Sequence, residues 1–314
     1  ASWSGQDLAR ATSGAAATLL GKIYLRNHDY ANAKTYIDMV LNSGQYELES
    51  DFKYVWSENN KYGKEMIFAL LHETGNNAAE IACHFGPSDH PEVPGRWQYY
   101  GVSLPFWRSY DKEDPRREFF YYDYTGDAKR DDQSDYGFHY MVPEEGVTVV
   151  PNDTTKYMQN VATMKYTYDM ISDAYYDGRT ICIFRLSDVI LCKAEIENNL
   201  NGPAAALPYL NQIRARAGAP EYGKHNRFPA PSTKETMNDA ILKERGYELV
   251  FEFQRRADLI RFGKYEEVVN AHLKKLGIAQ PTNVTSSLRY FPYPLNDAQL
   301  NPNLAAENPS RLPK

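Results

Sequence analysis

Hydrophobic and polar positions divide the chain into periodic ends and an aperiodic middle. Residues 10–26, RATSGAAATLLGKIYLR, set small and apolar side chains at helical spacing. A polar break, Asn27-His28-Asp29, follows, and YANAKTYIDMVLNSG predicts a second helix stopped at Gly44. Leu20, Gly21, Tyr24, Ala33 and Ile37 fit the tetratricopeptide template, in which small residues let two helices approach closely. A generic antiparallel helix pair needs the same small residues. FRLSDVILCKAEIENNL and NGPAAALPYLNQIRARAG predict a second pair, with Pro203 at a helix start where its missing N–H is harmless. A third pair is predicted over 235–262 and 264–276, so helical repeats cover about 9–44, 184–217 and 235–276.

The stretch from about 72 to 180 is different. It is rich in Gly, Pro, Asp and Tyr and holds no long periodic segment. KEMIFALLH at 64–72 and REFFYYDY at 117–124 predict short strands. Irregular stretches this long inside a compact protein usually serve function. The Pro- and Asn-punctuated tail at 288–310 is expected to lie extended over the helices. The fold class is therefore mainly α: tetratricopeptide-like helix pairs with an irregular, loop-rich ligand region and a few short strands, in one domain over 1–314.

Charge changes the picture at 241–267, ILKERGYELVFEFQRRADLIRFGKYEE. Glu244, Glu248 and Glu252 fall at i, i+4 and i+8, one face of a continuous helix, amid Arg245, Arg255, Arg256 and Arg261. An inverting glycosidase needs two carboxylates facing each other across a sugar. Three on one helix face project side by side instead, and stacked like charges destabilise a helix unless paired. Arg255 and Arg256 one turn beyond, with Arg214 and Arg216 in IRARAG, supply guanidinium partners that stay charged when buried. Glu244, Glu248, Glu252, Arg255 and Arg256 are thus expected to form a structural ion-pair network, and no catalytic residue is assigned.

Composition narrows the remaining classes. A net charge of −6 speaks against nucleic acid, which rewards a basic patch. Cys83, Cys182 and Cys192 form neither a disulfide framework nor a zinc motif and read as buried thiols. Cys83, His84 and His90 in CHFGPSDH do not complete a zinc site. Asp131, Gln133, Asp135 and Gly137 echo a calcium loop without its closing glutamate. No metal and no cofactor are expected, and no GxSxG, HExxH, phosphate-loop or dinucleotide motif occurs. No run is long and apolar enough to span a bilayer, and ASWSGQDLAR lacks the basic-then-apolar start of a signal peptide.

Aromatic residues carry the candidate chemistry. The 25 Tyr and 4 Trp suit wet recognition surfaces, and GRWQYYGVSLPFWRSYDKEDPRREFFYYDY at 95–124 concentrates them. Sugar rings have apolar C–H faces that stack on such rings. Trp97, Tyr99 and Tyr100 are the candidate ligand contacts, with Arg96, Gln98, Asn76 and Asn77 as polar neighbours for hydroxyls. SLPFWRSYD predicts a short helix, which assigns Phe106 and Trp107 to the core.

The segments RATSGAAATLLGKIYL, EMIFAL, SYDKEDPRR, LSDVILCKAEIEN, LNQIRARAGAP, ILKERGYELVFEFQRRADLIRFGKY and FPYPLNDAQLNPNLAAENP occur in this order. The series resembles the SusD/RagB family of outer-membrane nutrient-binding lipoproteins, from about Arg10 to Pro309. The most specific matches are Glu244-Arg245, Glu248-Leu249, Phe251-Glu252 and Arg255 through Phe262, then Phe291-Pro292 through Asn301-Pro302. The resemblance implies an all-α, tetratricopeptide-like protein at the cell surface of a Gram-negative bacterium. It implies a lid on a TonB-dependent SusC-like transporter that binds oligosaccharides, or in some members peptides, without chemistry. It also implies that the Glu/Arg stretch is scaffold. Family members begin with a signal peptide, a lipid-carrying Cys and a long helical part, so the chain resembles the C-terminal majority of such a protein, its N-terminal part and lipid anchor missing. Asp153-Thr154-Thr155 resembles a bacterial O-glycosylation acceptor.

Two other classes fit parts of the pattern. An all-helical glycoside hydrolase would use the same rings but needs an opposed acid and base, which the sequence does not single out. A peptide-binding member, or a plain tetratricopeptide scaffold, would use Asn, Arg and Lys on concave helix faces. The rings beside polar side chains favour glycan.

Overall fold

The computed structural model describes residues 10–73, 81–87, 90–93, 97–126, 137–146, 155–169, 178–276, 284–285, 291, 293–301 and 303. Contacts divide the chain into two units, Ala1–Glu252 and Phe253–Lys314.

In the first unit, α1 (Ser13–Arg26) starts where the Thr12 hydroxyl accepts from the Ala15 N–H. After a turn with His28 at φ +57°, Asp29 caps α2 (Tyr30–Leu41) in the same way. Ala15, Ala17, Gly21 and Leu25 of α1 face Ala33, Ile37 and Val40 of α2, all buried. A Cβ on Gly21 would lie 2.8 Å from Ile37 Cδ1, so only glycine lets the helices come this close. Of the template positions, Leu20 is not buried: it shares the solvent side of α1 with Leu19 and Ile23.

Helix α5 (Leu186–Asn201) packs against α2, α6 (Pro203–Arg216) and α7 (Lys234–Glu248), and its residues from Leu186 through Asn198 are all buried. Gly202 at φ +90° makes the α5–α6 turn, and Pro203 opens α6. A reciprocal Thr233–Thr236 capping box starts α7.

Between these helix pairs the chain forms short strands and two single-turn helices, α3 (Ile81–Phe85) and α4 (Leu104–Trp107). Strand β1 (Met66–Leu70) pairs antiparallel with β8 (Ile181–Arg185). Strand β7 (Asn160–Thr163) lies between β2 (Val102–Ser103) and β3 (Phe120–Tyr121), antiparallel to both. Strand β5 (His139–Met141) pairs antiparallel with β4 (Asp123–Thr125) and parallel with β6 (Thr155–Tyr157). Trp107 is buried and Phe106 half-buried, both packed in the core that includes Val102, Tyr110 and Tyr247.

The expected helix over 235–262 is broken. Helix α7 ends at Glu248, and Phe251 and Phe253 both take φ +60° in the turn that follows. Glu252 therefore does not continue the face of Glu244 and Glu248; the turn brings it inward from beyond the helix end.

The second unit holds α8 (Arg255–Arg261), α9 (Tyr265–Lys275) and α10 (Leu295–Leu300). Gly263 at φ +69° joins the first two. Arg256 places its guanidinium over the rings of Tyr265 and Phe291, 5.4 and 4.6 Å from their centroids. Among the described residues no helix is long and apolar enough to cross a membrane.

Candidate functional site: an exposed aromatic platform on a buried ionic scaffold

The glutamates of α7 lie inside the first unit. Arg116 Nη1 is 2.7 Å from Glu244 and 3.0 Å from Glu248, and Arg214 Nη1 is 2.7 Å from Glu244. Arg185, at the end of β8, grips Glu252 through Nε and Nη2 at 2.7 and 2.8 Å. Its Nη1 donates to Glu65 and Glu248, at 2.7 Å each. Lys165 Nζ donates to Glu252 at 2.6 Å, and Arg216 pairs with both Glu65 and Glu248. Asp114 holds the far side of Arg116. Five carboxylates thus meet five cations, with every side chain at most 6% exposed. Arg245, although inside the same stretch, turns to Asp188 at 2.7 Å. Burial pushes the Glu248 carboxyl up, but Arg216, Arg185, Arg116 and Lys165 outweigh it and hold the group well below the usual carboxylate range. Burial likewise opposes Asp188, and Lys22 and Arg245 hold it well below its ordinary value. Burial pushes the Cys182 thiol well up, leaving it inert.

The aromatic stretch sits at the surface. Trp97, Tyr99 and Tyr100 are 37%, 65% and 55% exposed. Two backbone hydrogen bonds fix them to the end of α3: Trp97 N–H donates to Cys83 O at 2.7 Å and Tyr100 N–H to His84 O at 3.1 Å. Gln98 between them takes φ +50°, a left-handed conformation rare for a residue with a side chain. The ring centroids of Trp97 and Tyr99 lie 5.4 Å apart at 33°. The His84 ring sits 5.2 Å from Trp97 and 5.4 Å from Tyr99, and its Nδ1 is buried with no hydrogen-bond partner among the described residues. Phe85, the next residue, supports Tyr100 at 5.3 Å from below. Neighbouring exposed rings tied to α3 by backbone hydrogen bonds can stack the apolar faces of sugar rings.

Asn76, Asn77 and Arg96 lie outside the described residues, as do Asp131, Gln133, Asp135 and the Asp153-Thr154 pair. Thr155 begins β6. Among the described residues no group of three metal-ligating side chains comes together. Neither His84 as the centre of the ring cluster nor the partners Lys165, Arg185 and Arg116 were foreseeable from spacing. They are distant in sequence and reach these places only through the fold. A cleft of about 420 Å³ lies elsewhere, between the start of α1, the end of α2 and β1, with Met39, Tyr46, Tyr62 and Phe68 on its wall. Sequence periodicity had pointed to none of these.

Comparisons with known proteins show the family and the fold. A profile of the SusD family matches residues 64–310. SusD-like protein P25 of Formosa agariphila is 26% identical over 320 residues, covering 95% of this chain and 58% of that protein. A SusD superfamily protein of Parabacteroides distasonis superposes with a TM-score of 0.69 at 20% identity, over 95% of this chain and 63% of that one. Surface glycan-binding protein A of Bacteroides thetaiotaomicron, solved in complex with laminarihexaose, superposes with a TM-score of 0.64 at 22% identity, over 93% and 62%. The chain thus spans about three fifths of the length of these relatives.

Proposed function

The chain belongs to the SusD family, and from that membership we propose that it is a non-catalytic carbohydrate-binding protein. It captures oligosaccharides at the outer-membrane surface of a Gram-negative bacterium, as part of a lipid-anchored protein, and passes them to a SusC-like TonB-dependent transporter. The observation that carries this proposal is the exposed Trp97–Tyr99–Tyr100 platform held against α3. Solvent-exposed rings fixed by backbone hydrogen bonds offer stacking faces at little cost in ordering. The carboxylates that would have to act in a hydrolase support the same reading, because Glu244, Glu248 and Glu252 are buried and each is ion-paired with Arg or Lys side chains. A general acid or base must instead reach its substrate's proton. The relative solved with laminarihexaose makes a β-glucan the first ligand to try.

The test is a calorimetric binding screen of the purified chain against laminarihexaose, maltohexaose, mannohexaose and extended peptides, with product analysis of the same samples. Saturable binding of a hexasaccharide without cleavage, lost in Trp97→Ala, supports the proposal. Release of shorter sugars, or binding of peptides alone, overturns it.

A further inference from the structure

Beside the platform lies a pair of side-chain amides from distant parts of the chain. Gln98 Nε2 donates to Asn160 Oδ1 at 3.3 Å across 62 residues of sequence; Asn160 is exposed and Gln98 half-buried, and the bond between them lies at the surface. The pair is built by the fold. Asn160 opens β7 and lies opposite Ser103 in the register of β2 and β7. Gln98 occupies the left-handed position between Trp97 and Tyr99, so its side chain and the two rings are set by the same turn. Gly101 makes room: a Cβ there would lie 2.3 Å from Asn160 Oδ1 and 2.8 Å from its Cγ.

The hydrogen-bond inventory of this pair is incomplete among the described residues. Each carboxamide carries two N–H donors and one acceptor oxygen. The single bond between them uses one donor of Gln98 and the oxygen of Asn160. Gln98 Oε1 and the Asn160 NH₂ have no further partner among the described residues. The pair therefore offers an unused acceptor on Gln98 and unused donors on Asn160, next to the turn that carries Trp97 and Tyr99. Adjacent hydroxyls of a pyranose, one donating and one accepting, match that arrangement. The rings read the apolar face of the sugar, and the amides read its rim.

We propose that Gln98 and Asn160 form a hydroxyl-reading pair that sets which sugar configuration the platform accepts, a role that rests on the glycan-binding function proposed above. Stacking tolerates any pyranose with an open C–H face. Discrimination between epimers needs directional bonds, because a site built to hydrogen-bond a hydroxyl rejects the analogue that misplaces it. Gly101 belongs to the same device, since any side chain there displaces the Asn160 amide without deleting it.

The experiment is titration of the full chain and of Asn160→Ala, Gln98→Ala, Gly101→Ala and Trp97→Ala with laminarihexaose, maltohexaose and mannohexaose. Thermal unfolding and the near-ultraviolet circular dichroism of the rings are followed in parallel. Asn160→Ala and Gln98→Ala are each expected to weaken the best-bound hexasaccharide roughly fivefold, about one hydrogen bond's worth. Both should narrow the preference among the three sugars, with unfolding temperature and ring spectrum unchanged. Gly101→Ala is expected to reproduce the loss of preference with both amides still present. Trp97→Ala is expected to abolish binding of all three. Affinity and preference unchanged in both amide variants, while Trp97→Ala abolishes binding, would overturn the hydroxyl-reading role and leave the platform standing. Binding of none of the sugars by the unaltered chain would overturn both.

Discussion

Glu252 shows how a single side chain belongs to the scaffold rather than to chemistry. It sits in the turn after α7, its two oxygens shared by Lys165 and Arg185. Those cations are themselves sealed in: Trp56 lies under both, with its ring centroid 4.6 Å from Lys165 and 5.5 Å from Arg185. Removing one member of a buried, balanced network leaves a charge that neither water nor a partner can stabilise. Glu252→Ala is therefore expected to lower stability by roughly 3–5 kcal/mol, read from urea unfolding. Stability equal to that of the unaltered chain would show that Lys165 and Arg185 do not depend on this carboxylate. The same network sets the acid response. Glu248 and Asp188 are held below their ordinary values of 4.5 and 3.8. A carboxyl with a depressed folded pKa adds stability that is complete above its unfolded pKa and is lost as pH falls through the folded one. The urea midpoint should thus hold from neutral pH to about 5 and decline steadily below about 4.5. A midpoint flat down to pH 3 would contradict the ion pairing. The glutamates were legible in the sequence because three like charges at helical spacing demand partners. Arg214 and Arg216 were named beside them from IRARAG, but Lys165, Arg185 and Arg116 were not legible, since they lie 87, 67 and 132 residues from the glutamates they meet.

The helices were legible where small residues recur and illegible where charge and aromatic residues do. The α1–α2 pair reads directly from Gly21, Ala33 and Ile37, because close approach leaves no other choice of side chain. Gly21→Leu is expected to destabilise by about 1–3 kcal/mol through overpacking, seen as a lower thermal midpoint. Ala16→Leu on the exposed side of the same helix should change it little. Equal effects of the two changes would mean that the helices do not rely on that contact. The stretch at 235–262 misled because its helical spacing continues unbroken through Val250 and Glu252. Nothing in that periodicity announces that Phe251 and Phe253 adopt positive φ. That conformation is stabilised by tertiary contacts: Phe251 O accepts from the Tyr166 hydroxyl at 2.8 Å, and its ring packs 4.9 Å from Phe85. The strands from β2 to β7 are two to four residues long, too short to carry a pattern of their own.

Within the first unit, platform and scaffold are joined by rings. Tyr100 rests on Phe85, Phe85 lies 4.8 Å from Tyr166, and Tyr166 lies 5.7 Å from Trp56, which floors the ionic network. A rigid, charge-locked interior thereby fixes the base on which exposed rings are presented, so that little ordering is left to occur when a ligand lands. Binding and stability should consequently separate in one direction. Ligand that binds only the folded state raises stability by RT ln(1 + [L]/Kd), about 2.7 kcal/mol at a hundredfold excess over Kd. Laminarihexaose at such an excess is expected to raise the thermal midpoint of the unaltered chain by several degrees. Trp97→Ala, at a site more than a third exposed, should keep the unliganded midpoint and lose the shift. Glu252→Ala should start from a lower midpoint and keep the shift, because its folded fraction still presents the rings. Loss of the shift in Glu252→Ala at temperatures where it remains folded would mean that the network reaches the ligand itself. The row of glutamates would then be part of the site rather than its foundation.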